Sequence, residues 1–161
     1  MQESSSKTTP SVQPVKILFR FFSEMLDLDA EETIWAVPID TEQGIYRIDS
    51  IPFYVPKLAT DDLVHAQFDA DEEMLAYVET VKHSGNSTVW VVILDGPGNI
   101  EEVMGDFFEL DCNSEAMSGN YFAMEIKAET NYLRIRDELN KWKSSGMIDY
   151  AEPCISQSHQ Y

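Results

Sequence analysis

Positive charge is scarce in this sequence, where Lys and Arg total 11 against 29 Asp and Glu for a formal net charge of -18. A chain this acidic repels phosphate backbones and anionic lipid surfaces, which argues against direct binding to nucleic acid or to a membrane. Cysteine is scarcer still. Cys112 and Cys154 form no CxxC pair and have no His nearby in sequence, so neither a disulfide framework nor a zinc site is expected, only reduced thiols in a cytoplasmic protein. Long apolar runs are missing too, the longest falling far below the ~18 residues of a membrane span. The leading MQESSSKTTPSVQP has one Lys and no apolar core, so it does not read as a secretory signal. Without export, the glycosylation-type triplet Asn86-Ser87-Thr88 is a chance match. Histidine is limited to His65, His83 and His159, none at a ligand spacing from Cys, Asp or Glu, and His159 falls in an end, SQSHQY, expected to fray. No metal and no cofactor is expected.

What is present is enough apolar material for a core: 43% hydrophobic residues in 161, fitting one compact domain or two small ones that share an interface. The acidity is spread evenly, with 16 acids and 6 bases in residues 1–83 and 13 acids and 5 bases in residues 84–161. It is a property of the folded body, serving solubility or a basic partner, and not a detachable tail.

Residues 1–14, rich in Ser, Thr, Gln and Pro, read as a flexible leader. A β-rich half follows over 15–83. Val15, Ile17, Phe19 and Phe21 alternate in VKILFRFF, and ETIWAVPID and GIYRIDS continue as strands around the turn Thr41-Glu42-Gln43-Gly44. Pro52 and Pro56 make residues 51–56 an irregular or edge crossing. Leu63 to Phe68 and Leu75 to Lys82 flank Asp69-Ala70-Asp71-Glu72-Glu73, which reads as a hairpin tip, and so many short strands predict a small barrel or a curled antiparallel sheet.

From residue 84 to 154 strands alternate with helical periodicity. Thr88 to Leu94 is apolar on both faces, the mark of a central strand covered on both sides. Asn99 and Glu102 form a capping-box pattern ahead of a stripe of Ile100, Val103, Met104, Phe107 and Phe108. Glu109 to Met117 is a weak strand that Ser118-Gly119-Asn120 turns into Tyr121 to Lys127. Thr130 is the expected cap of a second helix with Tyr132, Ile135, Leu139 and Trp142 inward, ended by Gly146 before a last strand from Met147 to Glu152. This order predicts an α+β fold in which the N-terminal β half packs on a ferredoxin-like βαββαβ sandwich, with 155–161 as a C-terminal tail.

No catalytic constellation stands out. The pairs Asp61-Asp62, Asp71 to Glu73 and Glu101-Glu102 read as solvated carboxylates, the last suited to a helix N-terminus. Asp95-Gly96-Pro97-Gly98-Asn99 lacks the Lys and the glycine spacing of a phosphate loop and reads as a turn, while Ser84-Gly85-Asn86-Ser87-Thr88 reads as the end of a hairpin. An enzyme would require groups such as Glu109, Asp111 and His83 to meet in one cleft.

Trp35-Ala36 on a strand, Tyr46-Arg47-Ile48-Asp49 running into Ile51-Pro52-Phe53, and then Ser84-Gly85-Asn86-Ser87-Thr88 occur here in that order. Over about residues 15–154 the chain resembles the bacterial family known as domain of unknown function 4265. The resemblance implies a bacterial cytoplasmic protein and carries over no catalytic residues. In size and charge, though not in motif, the chain is similar to immunity proteins that neutralise toxins. The leading expectation is thus an immunity protein, not an enzyme, that binds a basic toxin domain through an acidic surface. Asp69, Asp71, Glu72 and Glu73 on the hairpin tip are the first contact candidates, and Asp106, Glu109 and Asp111 the next. The alternative is a regulatory or adaptor module that takes a cellular protein or a small ligand between its halves.

Overall fold

The computed structural model describes residues 13–94 and 99–160. The chain is α+β, with two sheets and two helices. In the first half, β1 (Val15–Ser23), β2 (Leu28–Asp40), β3 (Ile45–Ile48), β4 (Leu63–Asp69) and β5 (Met74–Lys82) pair antiparallel in sequence order. β5 then returns beside β1 in parallel, pairing Ile17 with Leu75 and Leu18 with Ala76, which closes the five strands into a ring. Ile17, Phe19, Ile34, Ile48, Leu58 and Val64 fill it, and Phe19 stacks on Tyr77 at 4.6 Å. The alternation expected along β1 holds only in part. Ile17, Leu18 and Phe19 are all buried while Val15 and Phe21 are half-buried, because burial is greatest where β1 has a neighbour on each side.

Past Phe19 the β1–β2 pair runs on as Arg20–Glu31, Phe21–Ala30, Phe22–Asp29 and Ser23–Leu28. Among the described residues no third strand pairs with this stretch, so it forms a two-stranded arm. Such ribbons need outside support. Arg20 supplies some, reaching Glu31 at 3.1 Å, Asp69 at 3.4 Å and Glu72 at 2.8 Å.

The second half contains β6 (Ser87–Ile93), α1 (Ile100–Phe108), β7 (Asn113–Ser118), β8 (Tyr121–Ile126), α2 (Tyr132–Ser144) and β9 (Ile148–Cys154), with sheet order β7-β8-β6-β9 and every pair antiparallel. Val89, Val91, Phe122 and Met124 meet Val103, Phe107, Ile135 and Leu139 of the helices in one core. The opposite face of β6 is covered too, by the connection between β3 and β4. Thr88 Oγ1 donates to the Leu58 carbonyl at 2.9 Å, Trp90 Nε1 to the Pro52 carbonyl at 2.9 Å, and the Tyr121 hydroxyl to the Phe53 carbonyl. The two prolines thus lie in a covering loop that no ladder crosses.

Several local expectations are corrected. Asn99 precedes α1 in helical backbone geometry and its side chain caps nothing, so the capping box is not made. Asn131, not Thr130, caps α2, accepting from the Leu133 amide at 3.1 Å. Phe108 leaves the buried stripe and is 68% exposed, and the weak strand begins at Asn113, after a turn that places Asp111 at φ 66°. Gly146 ends α2 at φ 81°, a left-handed position that suits glycine. The end of the chain is not frayed at His159. That ring is buried against Tyr132, with centroids 5.3 Å apart, inside a 3-10 turn over Gln157–His159. Residues 1–12 of the leader expected over 1–14, and residues 95–98 of the turn expected over 95–99, lie outside the described residues.

Candidate functional site

Acidic and polar side chains hold the β3–β4 connection in place and join the two halves from within. Glu32 on β2 turns its carboxylate toward the β3–β4 connection and accepts the amides of Phe53, Tyr54 and Val55 at 2.8, 2.9 and 3.0 Å. Those consecutive N–H groups form an anion-binding concavity that this carboxylate fills. Asp62 is buried, accepting the Ala59 amide at 3.0 Å and the Ser84 amide at 2.8 Å, with His83 Nδ1 at 3.4 Å. The expectation that Asp61-Asp62 is simply solvated therefore fails for Asp62.

Ser84 to Thr88, expected merely to end a hairpin, forms the joint between the sheets. Asn86 donates from Nδ2 to the Thr60 carbonyl at 3.1 Å and accepts the Ala128 amide at 3.0 Å, and Ser84 Oγ donates to the same Thr60 carbonyl at 2.8 Å. A short polar motif with no apolar partner to pack needs such bonds to cross the interface.

Above this joint the arm, the β3–β4 connection and the second sheet enclose an open cleft of about 590 Å³. Phe22, Met25 and Leu26 of the arm form one wall, Tyr54, Pro56 and Lys57 another, and Trp90 with Ala151 to Pro153 the floor. It continues past Met25 and Trp90 into a shallower extension of about 310 Å³ toward Val92, Tyr121 and Tyr150. Tyr54 stacks on Tyr121 at 5.6 Å, and Tyr121 is held neutral because burial pushes its phenol up, with Tyr54 and Glu32 adding to the effect. Met25, Leu26 and Phe22 remain 69%, 59% and 53% exposed. Volume and lining match a binding cleft: apolar walls with a few polar groups at the edges.

The acidic candidates fall on two separate turns. Asp69 caps the β4–β5 tip by accepting the amides of Asp71 and Glu72 at 2.9 and 3.3 Å, and with Glu72 it holds Arg20. Those amide bonds, foremost that of Glu72, keep its carboxyl below the usual carboxylate range. Asp71 and Glu73 are exposed on the same tip. On the other half, Asp106 accepts from Trp142 Nε1 at 3.1 Å and so links α1 to α2, while Glu109 and Asp111 are exposed where α1 turns into β7. Glu109 and Asp111 line two different shallow depressions, and His83 lines neither. None of these acids borders the main cleft.

Reasoning from sequence allowed for a ligand between the two halves but assigned no residue to such a site, because the walls of the cleft come from segments far apart in the chain. One signal was legible: Phe22, Met25 and Leu26 stand among Ser23, Glu24 and Asp27, apolar groups where a hairpin tip ordinarily carries polar ones. Burial disfavours the reactive thiolate at both cysteines, pushing Cys112 up to about 12 and Cys154 up to about 11. Among the described residues no group of three or more His, Cys, Asp or Glu could hold a metal, and no helix is long and apolar enough to cross a membrane.

Comparison with known proteins places this arrangement. A hypothetical protein from Neisseria gonorrhoeae, described as having a novel crystal structure, superposes with a TM-score of 0.77 at 22% identity, covering 89% of this chain and 96% of that one. At that identity the likeness concerns the fold alone. No curated protein matches the chain. The model of the family described as domain of unknown function (DUF4265) matches residues 32–150, from the Glu32 carboxylate under the cleft wall to the start of its floor, and the chain belongs to that family.

Proposed function

We propose that the protein is an immunity protein, a non-catalytic binding module that captures a basic toxin domain in the cytoplasm and blocks it. The observation that carries this reading is an open apolar cleft in a molecule of net charge -18. Apolar walls supply contact area, and the surrounding negative field draws in a basic partner and discriminates against acidic ones. The fold reading behind it takes β1 to β5 as a small barrel and residues 84–154 as a ferredoxin-like sandwich, supported by the β7-β8-β6-β9 order with a helix after β6 and after β8. The first carries the arm and the β3–β4 connection that wall the cleft, and the second carries its floor.

The test is capture of partners by the tagged protein in its native bacterium, followed by co-expression with each captured protein. Recovery of a basic protein whose toxicity is relieved supports the reading. An acidic partner, or a toxin whose effect is unchanged, overturns it. A second reading is a regulatory module that holds a small ligand in the same place, favoured by the size of the cleft, which lies in the range of small-molecule sites. A thermal-shift screen of apolar metabolites in which one stabilises the protein, while no protein partner is captured, would favour it.

A further inference from the structure

We infer that the cleft, and not the acidic hairpin tip, is where the partner docks, and that its occupant is an extended segment of that partner with apolar side chains interleaved with Lys or Arg. The inference rests on the binding function just proposed and assigns that function a surface and a recognition chemistry.

Shape is the first argument. The cleft is open and runs on into its extension past Met25, Trp90 and Ala151, which line both parts, so it forms one groove crossing the sheet face. A groove of that form accepts a length of chain more readily than a compact molecule. The second is exposure. Met25 and Leu26 present large apolar surfaces to solvent at the end of an arm that no third strand supports among the described residues. Contiguous exposed apolar surface of this kind marks interaction sites.

Charge commits the occupant's sign. Glu24 on the arm, Glu152 on the floor, which also accepts from the Tyr132 hydroxyl, and Asp149 in the extension line the groove against one base, Lys57, in a molecule of net charge -18. Bases on the incoming segment meet carboxylates at the rim while its apolar groups reach Trp90. At the hairpin tip Asp69 and Glu72 are both held by the guanidinium of Arg20. A partner docking there would compete with an internal guanidinium.

The test uses the full chain and a short fluorescent peptide in which Phe and Leu alternate with Lys and Arg, followed by anisotropy. A matched peptide carrying Glu in place of the bases is the control. The double variant Met25→Ala, Leu26→Ala removes the apolar wall without changing charge, and thermal unfolding checks that it stays folded. The variant Asp71→Asn, Glu73→Gln alters the tip. Binding of the basic peptide that falls roughly tenfold or more in the first variant and stays within about twofold in the second is the expected result. No binding of the basic peptide, equal binding of the acidic one, or a loss confined to the tip variant overturns the inference. A toxic partner that binds the Met25, Leu26 variant as well as the native chain overturns the docking site and leaves the immunity function standing. Peptide binding as expected, with no basic toxin ever captured, does the reverse.

Discussion

Ser87 Oγ lies 2.5 Å from His159 Nδ1, a side-chain bond between the start of β6 and the end of the described chain, with both groups buried. His159 Nε2 faces the Lys127 carbonyl at 3.0 Å, and a carbonyl can only accept, so Nε2 carries a proton and, in the neutral ring, Nδ1 accepts from Ser87. Ser87 Oγ in turn accepts the Ser156 amide at 2.9 Å. A Ser–His pair suggests a nucleophile, but with Ser87 at 0% and His159 at 2% exposure it works as a latch. Replacing His159 with Ala should cost about 2 kcal/mol of stability through unpaired buried groups. Urea denaturation measures it, and an unchanged midpoint would show that the turn over Gln157–His159 contributes nothing.

Asn86 should be the most sensitive position of the joint. Asn86→Ala removes the bonds to Thr60 and Ala128 at a cost of about 3 kcal/mol. Asn86→Asp keeps the acceptor for Ala128 but sets a carboxylate where Nδ2 now lies 3.3 Å from Asp61 Oδ2. It should therefore be the worse variant at neutral pH and recover as the solution is acidified toward pH ~4. Melting curves of both variants at two pH values decide this.

Glu32 holds one wall of the cleft through three backbone amides. Glu32→Ala should destabilise the protein by about 2 kcal/mol and, more tellingly, raise hydrogen exchange at Phe53, Tyr54 and Val55. Exchange at those amides equal to that of the native protein would refute the role given to this carboxylate.

Acid should loosen the anchor of the arm. The folded-state pKa of Asp69 lies below its ordinary value of 3.8, first through the Glu72 amide and with Arg20 contributing, so its stabilising effect is present above that value and is lost as pH falls through the depressed one. Proteolysis at the arm should accelerate below about pH 4 in the native protein. In Asp69→Asn the same sites should be open at neutral pH.

The thiols predict alkaline behaviour of the opposite sign. With folded values near 12 for Cys112 and 11 for Cys154 against an ordinary 9.0, both contribute stability that is complete below pH 9 and declines above it, because the unfolded thiols ionise first. Iodoacetamide at mildly alkaline pH should therefore modify the folded protein slowly and the denatured protein at the rate of a free thiol.

The architecture was legible wherever burial is periodic. Thr88 to Leu94 reads as a doubly covered strand because its apolar groups fall on both faces, and the inward sides of α1 and α2 follow from Val103, Phe107, Ile135 and Leu139. The cap of α2 was misplaced by one residue, since Thr130 and Asn131 offer the same chemistry and only backbone geometry chooses. The acids that matter structurally were illegible. Glu32 and Asp62 look like any surface carboxylate until amides from Phe53 or Ser84, more than twenty positions away, are brought to them. The acidic tip was readable as a turn, but its commitment to Arg20 depends on the β1–β2 arm lying beside it.

The parallel contact of Ile17 and Leu18 with Leu75 and Ala76 also sets a tempo for the protein. Closing the ring requires the ends of a loop spanning three intervening strands to meet, and the entropy of that encounter is lost before its contacts repay it. Refolding should wait on this step, and until it is complete β1 offers an unpaired strand edge to any neighbouring chain. The same closure that covers the middle of β1 in the finished molecule leaves its newborn form the one most exposed to aggregation.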